Sequence, residues 1–194
     1  MDYDYIDYIS EYEDGLAYVS EYENGLARVR LNYKYGFIDK TGKEVIPIKY
    51  DGADDFEDGL AKVKLNGKYG LIDKTGKEVT PIKYDVILSF VKRLRLARVI
   101  LNGKCGFVDK TGKEVIPVKY DNIYDDDDGY YINIFFEGLA RVRLNYKYGF
   151  IDKTGKEVIP IIYDWVDDFE DGLAKARLGD KWFYIDKNGN EINK

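Results

Sequence analysis

Histidine is absent from this 194-residue chain, which removes the usual Ser-His and Cys-His nucleophile pairs and every histidine general base. One cysteine, Cys105, is too few for an internal disulfide or a multi-thiolate zinc site. Serine hydroxyls are confined to Ser10, Ser20 and Ser89. Long apolar runs are missing, and the opening MDYDYIDYISEYED has neither a basic region nor a hydrophobic segment, so the expectation is a cytoplasmic chain with no signal peptide and no membrane span. A secreted mature form would look the same. A formal charge of -6 argues against a dedicated nucleic-acid binder, although it leaves open how 30 basic and 36 acidic residues are distributed.

Tyrosine and glycine, at 19 copies each, favour pleated strands joined by tight turns over long helices. The segment Gly25–Tyr50, GLARVRLNYKYGFIDKTGKEVIPIKY, returns at Gly138–Tyr163 with one change, Lys49 becoming Ile162. Partial copies open at Gly59, at Arg95 in place of glycine, and at Gly172, giving intervals of 34, 36, 43 and 34 residues. A period in this range marks a repeat architecture. The boundaries read as a cap at 1–24, repeats at 25–58, 59–94, 95–137 and 138–171, and an incomplete capping repeat at 172–194.

Within a unit, LARVRL alternates apolar Ala27, Val29 and Leu31 with Arg28 and Arg30, the period of a strand with one buried face. Asn66-Gly67 and Asn102-Gly103 then predict two-residue type I′ hairpins, whereas Asn32-Tyr33 and Asn145-Tyr146 suit positive φ less well and predict a different turn. The second strand, KYGFID, enters a turn in which Asp39 can accept from amides and Gly42 can take the left-handed position. In the third strand Pro47 removes a ladder donor, marking an edge or a bend. Aromatics three residues before the opening position, Tyr12, Tyr22, Phe56, Phe135 and Phe169, are placed to tuck each acidic connection against a sheet. The expected fold is all-β, an array of about five three-stranded antiparallel meanders stacked as an open solenoid, with a closed propeller-like ring as the alternative.

The pattern GLA-x-V, an aromatic-Gly pair running into FIDKTGKEVIP, and then KYD resembles the bacterial WG-repeat family, also called KWG repeats, over nearly the whole chain. The family's Trp-Gly pair stands here as Tyr35-Gly36, Tyr69-Gly70, Cys105-Gly106 and Tyr148-Gly149, while Trp182-Phe183 keeps the Trp and loses the Gly. The resemblance implies a β-repeat array suspected of mediating interactions, and it brings no catalytic residues.

The run Asp125–Asp128 before Gly129 invites a calcium reading, but an EF-hand register would put Tyr124 first and Phe135 twelfth, and neither supplies a carboxylate. A solvated acidic loop is the simpler reading, with weak divalent binding as the alternative. Asp39, Asp73, Asp109, Asp152 and Asp186 recur at one turn position, which turn geometry explains without chemistry, so no enzyme, metal or cofactor is expected. Cys105 fills an aromatic slot and is expected to pack as a small hydrophobe. Partner-binding candidates come from two places. Arg28, Arg30, Arg98, Arg141 and Arg143 lie on the outward face of first strands, and stacking would align them into a basic stripe. Lys92, Arg93, Arg95, Tyr130 and Tyr131 belong to the least repetitive interval. The expected function is a non-catalytic scaffold for a protein partner, without nucleic acid or membrane. The competing readings are an anionic polymer or glycan along the stripe, and plain solvated faces with cross-strand partners.

Overall fold

The structure is a computed structural model that describes residues 18–19, 25–91, 95–123 and 135–192. Its regular elements are β-strands gathered in five antiparallel sheets. In the first sheet β1 (Tyr18–Val19), β2 (Leu26–Leu31), β3 (Lys34–Asp39) and β4 (Glu44–Tyr50) lie in chain order. The second repeats this with β5 (Gly52–Ala53), β6 (Leu60–Leu65), β7 (Lys68–Asp73) and β8 (Glu78–Tyr84). The third holds β9 (Val86–Val91), β10 (Leu96–Leu101), β11 (Lys104–Asp109) and β12 (Glu114–Tyr120). The fourth holds β13 (Asn122–Ile123), β14 (Leu139–Leu144), β15 (Lys147–Asp152) and β16 (Glu157–Tyr163). The fifth is β17 (Trp165–Val166), β18 (Leu173–Leu178), β19 (Lys181–Asp186) and β20 (Glu191–Ile192).

The meanders are those read from the sequence, but each gains a fourth strand from the residues before its opening glycine. Gly52 and Ala53 pair with Lys64 and Val63, and Trp165 and Val166 pair with Arg177 and Ala176. A structural unit therefore starts within the connection that precedes the opening glycine. The chain divides into two compact units, residues 1–87 with 110–112, and residues 88–109 with 113–194.

Alternation decides which side chains go inside. Ala27, Val29, Ala61, Val63, Ala140 and Val142 are all buried. In the first unit Phe37, Ile46 and Tyr50 of the first sheet pack with Ala61, Val63 and Ile72 of the second. In the second unit Phe107, Ile116 and Tyr120 pack with Ala140, Val142 and Ile151, and Phe150, Ile159 and Tyr163 pack with Ala174, Ala176 and Ile185. A small strand face thus receives the large residues of the preceding sheet. Each of these sheets buries its apolar face against such a neighbour, and that burial stabilises it. The connection aromatics complete these cores, with Phe56 at 4.7 Å from Phe37 and Phe169 at 4.8 Å from Phe150 between ring centroids, while Phe135 is buried. Tyr12 and Tyr22 lie outside the described residues.

The hairpins correct one expectation. Asn32-Tyr33 and Asn145-Tyr146 form the same turn as Asn66-Gly67, with φ of 49° and 62°, 52° and 63°, and 52° and 78° respectively. The six-pair ladders on either side, Leu26↔Asp39 through Leu31↔Lys34 and its equivalents, leave two residues for the loop whatever they are. Strand register overrides the tyrosine's local preference. The next turn behaves as read: the Asp39 carboxylate accepts from the Thr41 amide at 2.8 Å, the Thr41 hydroxyl at 2.5 Å and the Lys43 amide at 3.1 Å.

Pro47 lies on the edge strand β4 and also where the register shifts, Tyr35↔Tyr50 giving way to Phe37↔Ile46. This bulge accounts for the glycine of each aromatic-Gly pair. A Cβ on Gly149 would fall 2.7 Å from the Ile159 and Pro160 oxygens and 2.8 Å from the Ile161 Cα. In the last sheet β20 faces Tyr184 and Ile185, so the crowding strand does not oppose Phe183 and a side chain fits.

Candidate functional site

The first-strand arginines do not form a free outward row. Arg28 reaches from β2 into the second sheet, its Nη1 donating to the Ala53 carbonyl at 2.7 Å and its Nη2 lying 3.3 Å from Asp55. Arg141 does the same three repeats later, to the Val166 carbonyl at 2.9 Å and Asp168 at 3.3 Å. Arg98 donates to the Asn122 side chain at 2.8 Å. These three arginines clamp the short first strand of the following sheet, a contact between residues 24 or 25 apart that strand periodicity alone does not reveal. Arg143 is half-buried on β14, and Arg95 is exposed at φ 56°, holding the left-handed place that glycine holds elsewhere. Lys92, Arg93, Tyr130, Tyr131 and Asp125–Asp128 lie outside the described residues.

A second clamp was missed because its sequence signal is a single aspartate after each KY or IY. Asp51 accepts from Lys34 of its own repeat at 2.5 Å and from the Asn66 amide of the next hairpin at 2.6 Å. Asp164 accepts from Lys147 at 2.5 Å and the Gly179 amide at 2.7 Å. Asp121 pairs with Lys104. The lysine bond, and then the neighbouring hairpin amides, hold all three carboxyls below the usual range. The KYD tyrosines are buried core residues, and burial pushes the phenols of Tyr50, Tyr120 and Tyr163 up. Cys105 is buried as expected, and burial raises its thiol pKa as well.

One groove brings predicted residues together. It has a volume of about 450 Å³ and lies between the first two sheets, with Arg28, Arg30 and Tyr35 on one side and Lys62, Lys64 and Tyr69 on the other. Asp51 and Asp54 also line it. Lys62 pairs with Asp54 at 2.9 Å. The Arg30 guanidinium instead stacks near Tyr33 and Tyr35, 5.0 and 5.6 Å from their centroids, and the Lys64 ammonium lies 5.2 Å from that of Tyr69. Such cation–π contacts orient a charge without neutralising it. Two aromatic-Gly positions, Tyr35 and Tyr69, thus form walls of the groove. The hairpin tips carry further aromatic surface, Tyr33 at 81% exposed and Tyr146 at 84%.

Among the described residues no group of three or more Cys, Asp or Glu side chains is gathered as a metal site, and no helix is long and apolar enough to cross a membrane.

No curated protein matches the chain in sequence. Solved structures similar to it include Kluyveromyces lactis Hsv2 with loop 6CD replaced by a Gly-Ser linker, at 8% identity and a TM-score of 0.36 over 91% of this chain and 66% of that one. Another is the extracellular domain of the one-component system BT4673 from B. thetaiotaomicron, at 10% identity and a TM-score of 0.31 over 91% of this chain. A third is a protein of unknown function from Bacteroides caccae, at 12% identity and a TM-score of 0.29, covering 90% of this chain and 78% of that one. The chain spans less than two thirds of the first two, 66% and 29% of their lengths. The WG-containing repeat matches six times, at residues 18–35, 35–69, 69–105, 106–134, 131–148 and 148–182. With that pattern recurring along most of its length, and with the close strand crossing that explains the pattern's glycine, the chain belongs to the WG-repeat family.

Proposed function

We propose that this chain is a non-catalytic scaffold whose repeats present an aromatic and basic surface to a protein partner. The observation that carries this reading is the pair of hairpin-tip tyrosines. Tyr33 and Tyr146 stand almost wholly in solvent at φ of 62° and 63°, where Gly67 and Gly103 stand in sister repeats. Left-handed backbone costs an L-residue about 1 kcal/mol or more. Although the Arg30 guanidinium lies 5.0 Å from the Tyr33 ring, both rings stay more than four-fifths exposed, so burial gives little reason for tyrosine at these two tips. Tyrosine is, however, a favoured anchor in protein interfaces. The arginines speak against the rival polyanion stripe, because Arg28 and Arg141 are already committed to carbonyls and carboxylates of the adjoining sheet.

The test replaces both tips with the sister residue, Tyr33→Gly and Tyr146→Gly, and compares immobilised variant and wild type in quantitative capture from the source lysate. A saturable partner retained by wild type and lost by the double variant is expected, with melting temperature unchanged or raised. Equal capture by the two, or no saturable partner at all, would refute the scaffold reading.

A further inference from the structure

One residue lining the groove, Gly52, carries no side chain to fill it. At the start of the short first strand, Gly52 stands where Val86, Asn122 and Trp165 stand in later sheets. Trp165 shows what that place holds when filled: its ring lies 5.4 Å from Tyr148, the counterpart of Tyr35, and 6.0 Å from the guanidinium carbon of Arg141, the counterpart of Arg28. At Gly52 a Cβ would meet only the Lys64 Cβ, at 3.6 Å, so the glycine is not demanded by packing. Its consequence is the open space between Tyr35 and the second sheet.

The chemistry of the walls names the occupant. Four cations face two carboxylates. Arg28 and Lys62 have acidic partners, Asp55 and Asp54, and Asp51 is held by Lys34 and the Asn66 amide. Among the described residues neither Arg30 nor Lys64 has a carboxylate partner, and each charge lies instead against a tyrosine ring, Arg30 5.6 Å from Tyr35 and Lys64 5.2 Å from Tyr69. A cation held over a ring keeps its charge, and the terminal nitrogens of an arginine suit a planar carboxylate accepting two parallel bonds. Asp51 and Asp54 disfavour the concentrated charge of a phosphate or polyphosphate in the same space, whereas the spaced side chains of a peptide let a single carboxylate enter while its neighbours stay in solvent. Tyrosine rings offer apolar walls for the methylenes that carry such a carboxylate.

We infer that this groove binds an acidic peptide segment, seating a glutamate or aspartate carboxylate on Arg30 and Lys64 between Tyr35 and Tyr69. This rests on the scaffold reading only in taking the partner to be a polypeptide, and its test needs no partner in hand. The probe is acetylated, amidated tetraglutamate, titrated calorimetrically into the full chain at low salt, with tetraglutamine, inorganic phosphate and a short polyphosphate as comparison arms. Tetraglutamate binding is expected, with tetraglutamine silent.

Gly52→Trp, which installs the residue the last sheet already carries, should keep the β-sheet circular dichroism and weaken binding at least about tenfold, a loss of about 1.4 kcal/mol. Arg30→Gln should weaken it comparably, and it decides the matter if Gly52→Trp fails to fold. Unchanged affinity in a folded Gly52→Trp or in Arg30→Gln would overturn the inference. So would absence of tetraglutamate binding, equal binding of tetraglutamine, or tighter binding of phosphate or polyphosphate. None of these results bears on the tyrosine tips, whose double variant tests the scaffold reading separately.

Discussion

Replacing Gly149 by alanine isolates the feature after which the family is named. An added Cβ would lie 2.7 Å from two backbone oxygens and 2.8 Å from a Cα, where ordinary contact begins near 3.4 Å. All three atoms belong to the bulged run of β16, so no flexible side chain can swing aside and the strand itself must move by about half an ångström or more. Overpacking of this kind costs roughly 1–3 kcal/mol, and a rigid backbone obstacle argues for the upper end. Against this, alanine restricts the unfolded chain and returns about 0.4–1 kcal/mol. The net is a loss of about 2 kcal/mol, or roughly 4–8 °C in melting temperature for a chain of this size.

Both tryptophans, Trp165 and Trp182, lie in the last sheet, and Trp165 rests on Tyr148, so indole fluorescence during urea or thermal unfolding reports the affected sheets directly. Gly138→Ala is the control, because Gly138 has positive φ with nothing within 4 Å of its Cβ and should show backbone strain without the clash. A Gly149→Ala protein that melts at or above wild type would refute the account of the Trp-Gly glycine.

Two further expectations concern charge and reactivity. Asp121 and Asp164 have folded-state pKa values depressed by Lys104 and Lys147, so the stability they supply is present above the ordinary carboxylate range and is lost as pH falls through their lowered values. Asp121→Asn and Asp164→Asn should therefore lower the urea midpoint at neutral pH, and the gap to wild type should close in acid; a gap constant from neutrality to strong acid would contradict this. Cys105, buried with a raised thiol pKa, should resist an aromatic disulfide reagent in the native chain and react only on unfolding. Rapid native-state labelling would show instead that this slot is open.

Strand periodicity, hairpin positions and the Asp-Thr-Gly turn were legible because they depend on residues within a few positions of one another. Ala27 and Val29 alternate with Arg28 and Arg30 whatever lies beyond, and Asp39 reaches its turn amides by local geometry. The Asn-Tyr turns were misread for the complementary reason, since ladder register set by two whole strands outweighed the preference of one residue.

The sequence by itself determined the meander, its turns and its recurrence, because backbone sterics and side-chain alternation act over a span shorter than one repeat. Only the tertiary structure decided where the outward charges went. Arg28 finds the Ala53 carbonyl 25 residues away and Asp51 finds an amide in the next hairpin, because within a unit folding sets consecutive sheets side by side and a buried or half-buried charge takes the partner that packing brings to it. The groove has the same origin: Gly52 is unremarkable in the chain and becomes an opening only when Arg30, Tyr35 and Lys64 close around it.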